Sequence, residues 1–525
     1  MAAIVTDQFR ILNANNFVET VESSSNAYYV FLGLSNPAAV THGGPVGFGR
    51  TTTWDTDIPN PVDNIDNMNH IGDTMVFGKK VGSANIRRLV KKIEWTKGTR
   101  YEMYRHDYSV TNPTPVTGSS RLYGSNYYVM NKNYNVYICV DNGSTGISTT
   151  GNASQDEPIF TDLEASRAGE SGDGYIWKYL YTVAPSDIIK FDSTEYITVP
   201  NNWSTSVDTQ IQAVRDNGDS SVNNNQIKKI YIEDKGNGYS GGLGQEVPIL
   251  GDGSGGKVVI DVVSGKIEKA IVSSGGKGYT FAMVDLGSIN QNATSGTTPT
   301  PAKLIPVIPP SKGHGYDLYT ELGTDKVLVY ARFDDSTKDF PVDTKFAQIG
   351  IVKNPTVPGT ATTFTDNQFS SLSAVKFASS SGTISIGDKI TQKVSNGTAY
   401  GYVSSYDTDT KVLKYYQDRA LYYNQTTGDQ TDYTGISTTG QVLSFASSAD
   451  DVTTTGGFTG SVDTTFTSGI ATVGNKNISL GCNFTNGLAS PEINKGSGEI
   501  IYLDNRATIT RNARQKEDVK IILEF

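Results

Sequence analysis

The sequence predicts a mainly β protein, and three observations carry that expectation. Glycine is abundant, at 54 of 525 residues, and only 19% of residues are charged, below the ~25% common in soluble domains. Tyrosine reaches 29 copies beside frequent Thr, Ser and Asn, a mixture suited to strands joined by tight turns. Short apolar or alternating runs recur between clusters of Gly, Pro, Asn and Asp. With 37% hydrophobic residues the chain fills cores, so its composition is not that of a disordered protein. Its length exceeds the ~250 to 300 residues at which single cores stop growing, which implies two to four domains.

Charge and cysteine content narrow the function classes. The formal net charge of -10 argues against a general nucleic-acid binder, which needs a basic surface to neutralise phosphates. Cys139 and Cys482 are too far apart in the chain for a disulfide framework or metal-ligand spacing, and are expected as buried thiols of a reducing cytoplasm. Met1 to Arg10 lacks a signal-peptide pattern, and no run of ~18 apolar residues predicts a membrane helix.

Along the chain, the first 40 residues read as two strands around a short helical or irregular piece. Ala27 to Leu34 is a near-continuous apolar run, expected as a strand buried on both faces and ended by Asn36-Pro37. Trp54 to Asp73 dissolves into Asp, Asn and Pro and reads as an ordered loop. Ser83 to Trp95 reads as a helix: Ser83 caps it, and Ile86, Leu89, Val90 and Ile93 form a stripe at i, i+3, i+4 and i+7. Its other face carries Arg87, Arg88, Lys91 and Lys92, which suits either a solvated face or an acidic partner. Tyr127 to Met130 and Asn135 to Val140 predict a hairpin.

Then comes Gly172-Asp173-Gly174-Tyr175-Ile176-Trp177-Lys178-Tyr179-Leu180-Tyr181, a turn feeding a strand crowded with aromatics, which Pro185 closes. Glu195-Tyr196-Ile197-Thr198-Val199-Pro200 follows. This segment closely resembles one in the baseplate wedge subunit of T-even-like contractile-tailed bacteriophages, the gene product eight family. Ala3 to Thr6 with Phe9-Arg10, Lys97-Gly98-Thr99-Arg100-Tyr101, Gln348 to Val352 with Asn354-Pro355, and Gly498 to Arg506 resemble the same family in the same order. The resemblance covers 1–203, 303–358 and 492–525, a discontinuous core, and leaves 204–302 and 360–490 as two insertions.

The first insertion contains a repeat of 40 positions. Ile227 to Ile232 leading to Gly236-Asn237-Gly238-Tyr239 recurs as Ile267 to Val272 leading to Gly276-Lys277-Gly278-Tyr279. Each unit is a strand closed by a turn in which glycines permit φ > 0 and the tyrosine packs back, so two copies imply a small pseudo-symmetric β module. Gly313-His314-Gly315-Tyr316 is a partial third copy. In the second insertion, Gly387 to Gln392, Ala399 to Val403 and Val412 to Tyr416 predict three short strands of a small barrel or sandwich.

Catalytic patterns carry little. Gly251 to Lys257 has P-loop spacing, but Val258 replaces the hydroxyl residue and a strand, not a helix, follows. Gly238 to Gly242 matches a nucleophile elbow without its helix. His42, His70, His106 and His314 are scattered, and Asp55, Asp57, Asp63, Asp66 and Asp73 lack the EF-hand glycine and glutamate. They read as a loop of solvated carboxylates.

The resemblance implies a structural virion protein of the tail baseplate, not an enzyme, assembled in the host cytoplasm and needing no cofactor. It implies a layered β-sandwich core with helix-bearing loops, a homodimer, and binding to other wedge proteins without nucleic acid or membrane insertion. Arg87, Arg88, Lys91, Lys92 and Trp95 are then the expected partner contacts. A wedge subunit must hold one arrangement and release it on contraction, which needs interfaces with two discrete packings. A receptor- or carbohydrate-binding tail protein is the alternative, since Tyr-, Asn- and Ser-rich β modules present adaptable surfaces. A tail-associated hydrolase is a third, and predicts turnover.

Overall fold

A computed structural model describes residues 5–34, 54–58, 60–61, 65–289, 291, 298–334, 345–417, 443–510 and 515–525. Strand dominates, as expected. The described helices are α1 (Asp7–Glu22), α2 (Ile65–Thr74), α3 (Pro185–Phe191), α4 (Thr209–Gly218) and α5 (Leu318–Leu322). The chain divides into two compact units, one of residues 1–18, 87–328 and 522–525, the other of residues 19–86 and 329–521. Cys139 and Cys482 are both buried and unbridged.

The first unit is built on a three-stranded antiparallel sheet, Tyr128–Met130, Asn135–Asn142 and Tyr175–Thr182, with the middle segment in the centre. Its first two strands are the expected hairpin. Asn131 closes that turn by accepting the Asn133 and Asn135 N–H groups, and Tyr134 adopts φ 62°. Both faces of the sheet are covered, so the strands read as continuous apolar and aromatic runs. Pro185 starts α3, where its missing N–H costs nothing, and α3 leads to the strand Tyr196–Val199.

Ser83 to Trp95 is not a helix. A single 3-10 turn, Ser83–Asn85, precedes the strand Ile86–Lys91, which pairs with Tyr196–Val199 through Arg88↔Val199 and Lys91↔Tyr196. A short apolar run fits either period, and here the ladder offered by Tyr196–Val199 decides, with Ile86, Arg88, Leu89 and Val90 all buried. At the N-terminus, where two strands around a short helical or irregular piece were expected, α1 takes 16 residues. Thr6 Oγ1 accepts the Phe9 N–H at its start, and Ile11, Ala14, Val18 and Val21 are buried. Exposed Phe9 and Leu12 on the other face, together with three asparagines, mask its periodicity.

Residues 227–308 hold a separate core in the same unit, with Ile230, Val247, Ile249, Val258, Ile260 and Ile267 among its members. The sheet order is Lys266–Lys277, Ser254–Val263, Gln245–Gly251, Ala282–Val284, beside a ribbon of Ile230–Asp234 with Lys303–Pro306. The repeated turns match closely. Gly236 and Gly276 both have φ 61°, Tyr239 and Tyr279 are both buried, and each phenol oxygen accepts a main-chain N–H, from Ala302 at 2.7 Å and Gly256 at 3.0 Å. In the third copy His314 is buried and Tyr316 is not.

In the second unit a five-stranded sheet runs Gln368–Ser370, Met75–Val81, Tyr28–Gly33, Lys345–Lys353, Glu499–Thr510. Ala27 to Leu34 is buried throughout, as its apolar run predicts, while Asn36-Pro37 lies outside the described residues. The loop expected up to Asp73 contains α2 instead, whose Ile71 enters the sheet's core beside Met75 of the following strand. Six strands form a barrel, in the order Val412–Tyr416, Gly397–Asp407, Lys389–Val394, Val452–Thr454, Thr459–Val462, Ser373–Ser381. It closes where Ser373–Ser381 pairs back onto Val412–Tyr416, with Val375↔Leu413. Closure removes the free edges that an open sheet leaves.

Candidate functional site

The five expected partner contacts lie along the strand Ile86–Lys91 and the turn after it, and most are engaged inside the first unit. Arg87 Nε donates to Asp187 Oδ2 of α3 at 2.8 Å, and its guanidinium lies 5.1 Å from the Phe191 ring centre. Arg88 is 2% exposed: Nε donates to Asn15 Oδ1 at 2.6 Å, an Nη to the Asn201 carbonyl at 3.0 Å, and the head sits 4.1 Å from the Tyr319 ring centre. Lys92 pairs with Glu94 at 3.1 Å and lines a shallow depression with Asp187, Phe191 and Tyr196. Trp95 Nε1 donates to Ser154 Oγ at 3.0 Å. Lys91 is the residue of this set left exposed. The strand geometry thus splits what a helix would have gathered on one basic face.

The aromatic strand is held by its turn. Asp173 Oδ1 accepts the Tyr175 N–H at 2.9 Å, Oδ2 accepts the Gln155 N–H at 2.8 Å, and its carbonyl accepts Asn152 Nδ2 at 2.7 Å. Gly174 has φ 86°, and a Cβ there would lie 2.8 Å from Gly143 Cα, so Gly174 is a packing requirement, whereas Gly172, at φ 70° in open space, is favoured by its backbone alone. Tyr175 stacks on Trp177 at 5.3 Å, and Tyr101 meets Trp177 edge-on at 5.8 Å. The phenols end on main-chain carbonyls: Tyr137 on Phe160, Tyr181 on Thr198, Tyr127 on Glu321. These rings make a core, not a ligand platform.

One buried polar group inside this strand escapes sequence reasoning, although a lysine amid aromatics is the available signal. Lys178 is 2% exposed and donates to the Leu163 carbonyl and to Asn217 Oδ1 of α4, both at 2.7 Å. Glu164 accepts from Asn217 and Asn223 at 2.7 and 2.8 Å. Burial, with Lys228 adding, pulls the Lys178 ammonium down to about 8 against the attraction of Glu164 and Glu321. The network ties α4 to the aromatic strand.

The catalytic patterns resolve as structure. Gly251 to Lys257 spans the tight turn at Asp252-Gly253 and the start of the strand Ser254–Val263, and Gly238 to Gly242 belongs to the repeated turn. His314 Nδ1 and Glu321 Oε1 are 2.6 Å apart, both buried, and His106 Nδ1 accepts the Ile308 N–H at 3.2 Å. Asp55 accepts the Thr508 N–H at 2.8 Å, Asp73 is buried, and His42 and Asp63 lie outside the described residues. Among the described residues no three His, Cys, Asp or Glu side chains gather as metal ligands do, and no helix is long and apolar enough to cross a membrane.

Four of the five blocks that resemble the gene product eight family meet in space as two pairs, while Ala3 and Ile4 of the fifth lie outside the described residues. Tyr101, of the Lys97 to Tyr101 block, offers its N–H to Tyr175 Oη at 2.9 Å. In the second unit the Gln348 to Val352 block runs against the Gly498 to Arg506 block, with Gln348↔Asn505, Ile349↔Asp504 and Gly350↔Leu503. The family model described as bacteriophage T4 Gp8 matches residues 146–235. Baseplate wedge protein gp8 of Enterobacteria phage T4 is 26% identical over 221 residues, 38% of this chain and 60% of that relative. Over part of its length the chain is similar to gp8. The stretch matched by the Gp8 model holds the Gly-Asp-Gly turn, the aromatic strand, α3, Tyr196–Val199, α4 and Ile230–Asp234. Arg87's partner Asp187 and Lys178's partner Asn217 both fall within that gp8-like stretch. The similarity spans less than two thirds of gp8's own length.

Proposed function

We propose that this chain is a structural subunit of a phage tail baseplate wedge, without a catalytic step. The observation that carries the reading is the Gp8-model match over the aromatic strand and its supports, joined by the pairing of distant family-like blocks in each unit. In this reading the subunit forms a homodimer with a layered β-sandwich core, binds other wedge proteins, and moves as a rigid body when the tail contracts. Rigid β layers with interlocked aromatic cores suit such motion, since packed cores shift between discrete arrangements instead of deforming.

The partner surface on this reading is narrower than the five residues first expected. Lys91 is exposed and is the strongest candidate of them, with Lys92 and Trp95 at its margin, while Arg87 and Arg88 hold the strand in place. The two added β modules decorate the wedge-like core. The first, expected over 204–302, overlaps the Gp8-model match as far as residue 235, so on this reading its added part follows that residue. The second is the barrel within 360–490.

Electron microscopy of purified virions carrying this chain with a terminal label tests the proposal. Label at the baseplate is the expected result. Label on fibres, on the tail tube or on the capsid would overturn it.

A further inference from the structure

The strand Glu499–Thr510 is the edge of the five-stranded sheet in the second unit. One half of its outer side is closed. Trp54 Nε1 donates to the Arg506 carbonyl at 2.8 Å, and Asp55 Oδ1 accepts the Thr508 N–H at 2.8 Å. A donor and an acceptor two residues apart imitate a neighbouring strand, a known way to protect an edge.

The other half, Glu499–Asp504, has no such cover among the described residues. Among the described residues, no hydrogen bond from outside the ladder with Lys345–Lys353 reaches its main chain. The Tyr502 carbonyl lies against Gly350 of that ladder, so strand alternation turns the Leu503 N–H and C=O outward. Ile501, at the shift in register, is 37% exposed beside them.

Charge decides between the strands that could fill this edge. Antiparallel pairing of the stretch with a second copy, centred between Ile501 and Tyr502, sets Glu499 opposite Asp504 twice. Like charges directly opposite are destabilising, and a chain of net charge -10 adds to the repulsion. Glu499 is 70% exposed, with Lys353 no nearer than 3.8 Å, whereas Asp504 is already held by Arg506 at 2.6 Å. We propose that Glu499–Asp504 accepts an extended segment of a different protein as a sixth strand, one with alternating apolar residues and a lysine or arginine opposite Glu499. Main-chain hydrogen bonds supply the affinity of such strand addition, and the flanking side chains select the partner. The inference goes beyond the wedge reading and stands on the strand edge alone.

The full chain is titrated with short labelled peptides of alternating valine and threonine that end in lysine, with the same peptides ending in glutamate, and with lysine peptides N-methylated at alternate residues. The lysine peptide is expected to bind and to slow amide exchange at Leu503, and the other two to bind at least about tenfold more weakly. Glu499→Lys, which leaves the ladder intact, should reverse the charge preference, and Leu503→Pro should abolish binding. Equal binding of the N-methylated peptide, no binding of any peptide, or an unchanged preference in Glu499→Lys overturns the proposal. Rapid disulfide dimerisation of an Ile501→Cys variant would assign the edge to a second copy and overturn it as well.

Discussion

The main-chain N–H of Tyr101 donates to the phenol oxygen of Tyr175 at 2.9 Å, and that phenol donates in turn to the Asn152 carbonyl at 2.8 Å. One hydroxyl therefore joins three segments of the first unit, the Lys97 to Tyr101 turn, the Asn152 loop and the aromatic strand. Tyr175 is 1% exposed and Tyr101 equally so, which buries the bond between them, although Asn152 itself is exposed.

Tyr175→Phe keeps the stacked ring and removes only this hydroxyl, leaving a buried N–H and a carbonyl without partners. A loss of about 1–3 kcal/mol is expected, the usual penalty for a buried polar group left unpaired. Urea unfolding of wild type and variant measures it. A loss below about 0.5 kcal/mol would mean that the loop relaxes to satisfy both groups.

Arg88 and Lys91 lie three positions apart on one strand yet predict opposite outcomes. Arg88→Ala removes bonds to Asn15 and Asn201 and the stack on Tyr319, so a loss on the order of 3 kcal/mol is expected. Lys91→Ala should stay within about 0.5 kcal/mol of wild type while weakening capture of baseplate partners in an assembly assay. If Lys91→Ala leaves assembly unchanged, the partner surface lies elsewhere.

Physical context explains which elements were legible. Tyr28–Gly33 and Tyr175–Thr182 are buried on both faces, so their apolar runs need no knowledge of neighbours. The Gly-x-Gly-Tyr turns were equally plain, because a left-handed glycine and a tyrosine folding back are local chemistry. Ile86–Lys91 was not, since its state depends on pairing with Tyr196–Val199, more than a hundred residues away in the chain. The basic face expected from it dissolved for the same reason: Asn15, Asp187 and Tyr319, which take up Arg87 and Arg88, converge only in the folded chain. The edge at Glu499–Asp504 was likewise hidden, because a sequence gives no strand order.

Gly350 sits where two family-like blocks pair. A Cβ there would come within 2.4 Å of the Phe31 ring and 2.7 Å of the Tyr502 carbonyl, and Phe31 is fully buried. Gly350→Ala should therefore destabilise the second unit by roughly 1–3 kcal/mol through overpacking. Faster amide exchange confined to the strands Tyr28–Gly33, Lys345–Lys353 and Glu499–Thr510 would report it, and unchanged exchange there would show that the sheet absorbs a methyl group.

Lys178 predicts a rise in stability on the alkaline side. Burial lowers its folded pKa from 10.5 to about 8, so between those values the unfolded chain holds a proton that the folded chain has released. Stability then increases with pH across that window, because the unfolded state binds more protons there. Lys178→Met keeps the length of the side chain and cannot titrate. Measured by urea unfolding at about pH 8 and about pH 10, wild type should gain on the order of 2 kcal/mol relative to the variant. The two-proteins comparison cancels the titration of the tyrosines, which both share. Parallel pH profiles would show instead that Leu163 and Asn217 keep the ammonium charged, and that the bonds at 2.7 Å outweigh its desolvation.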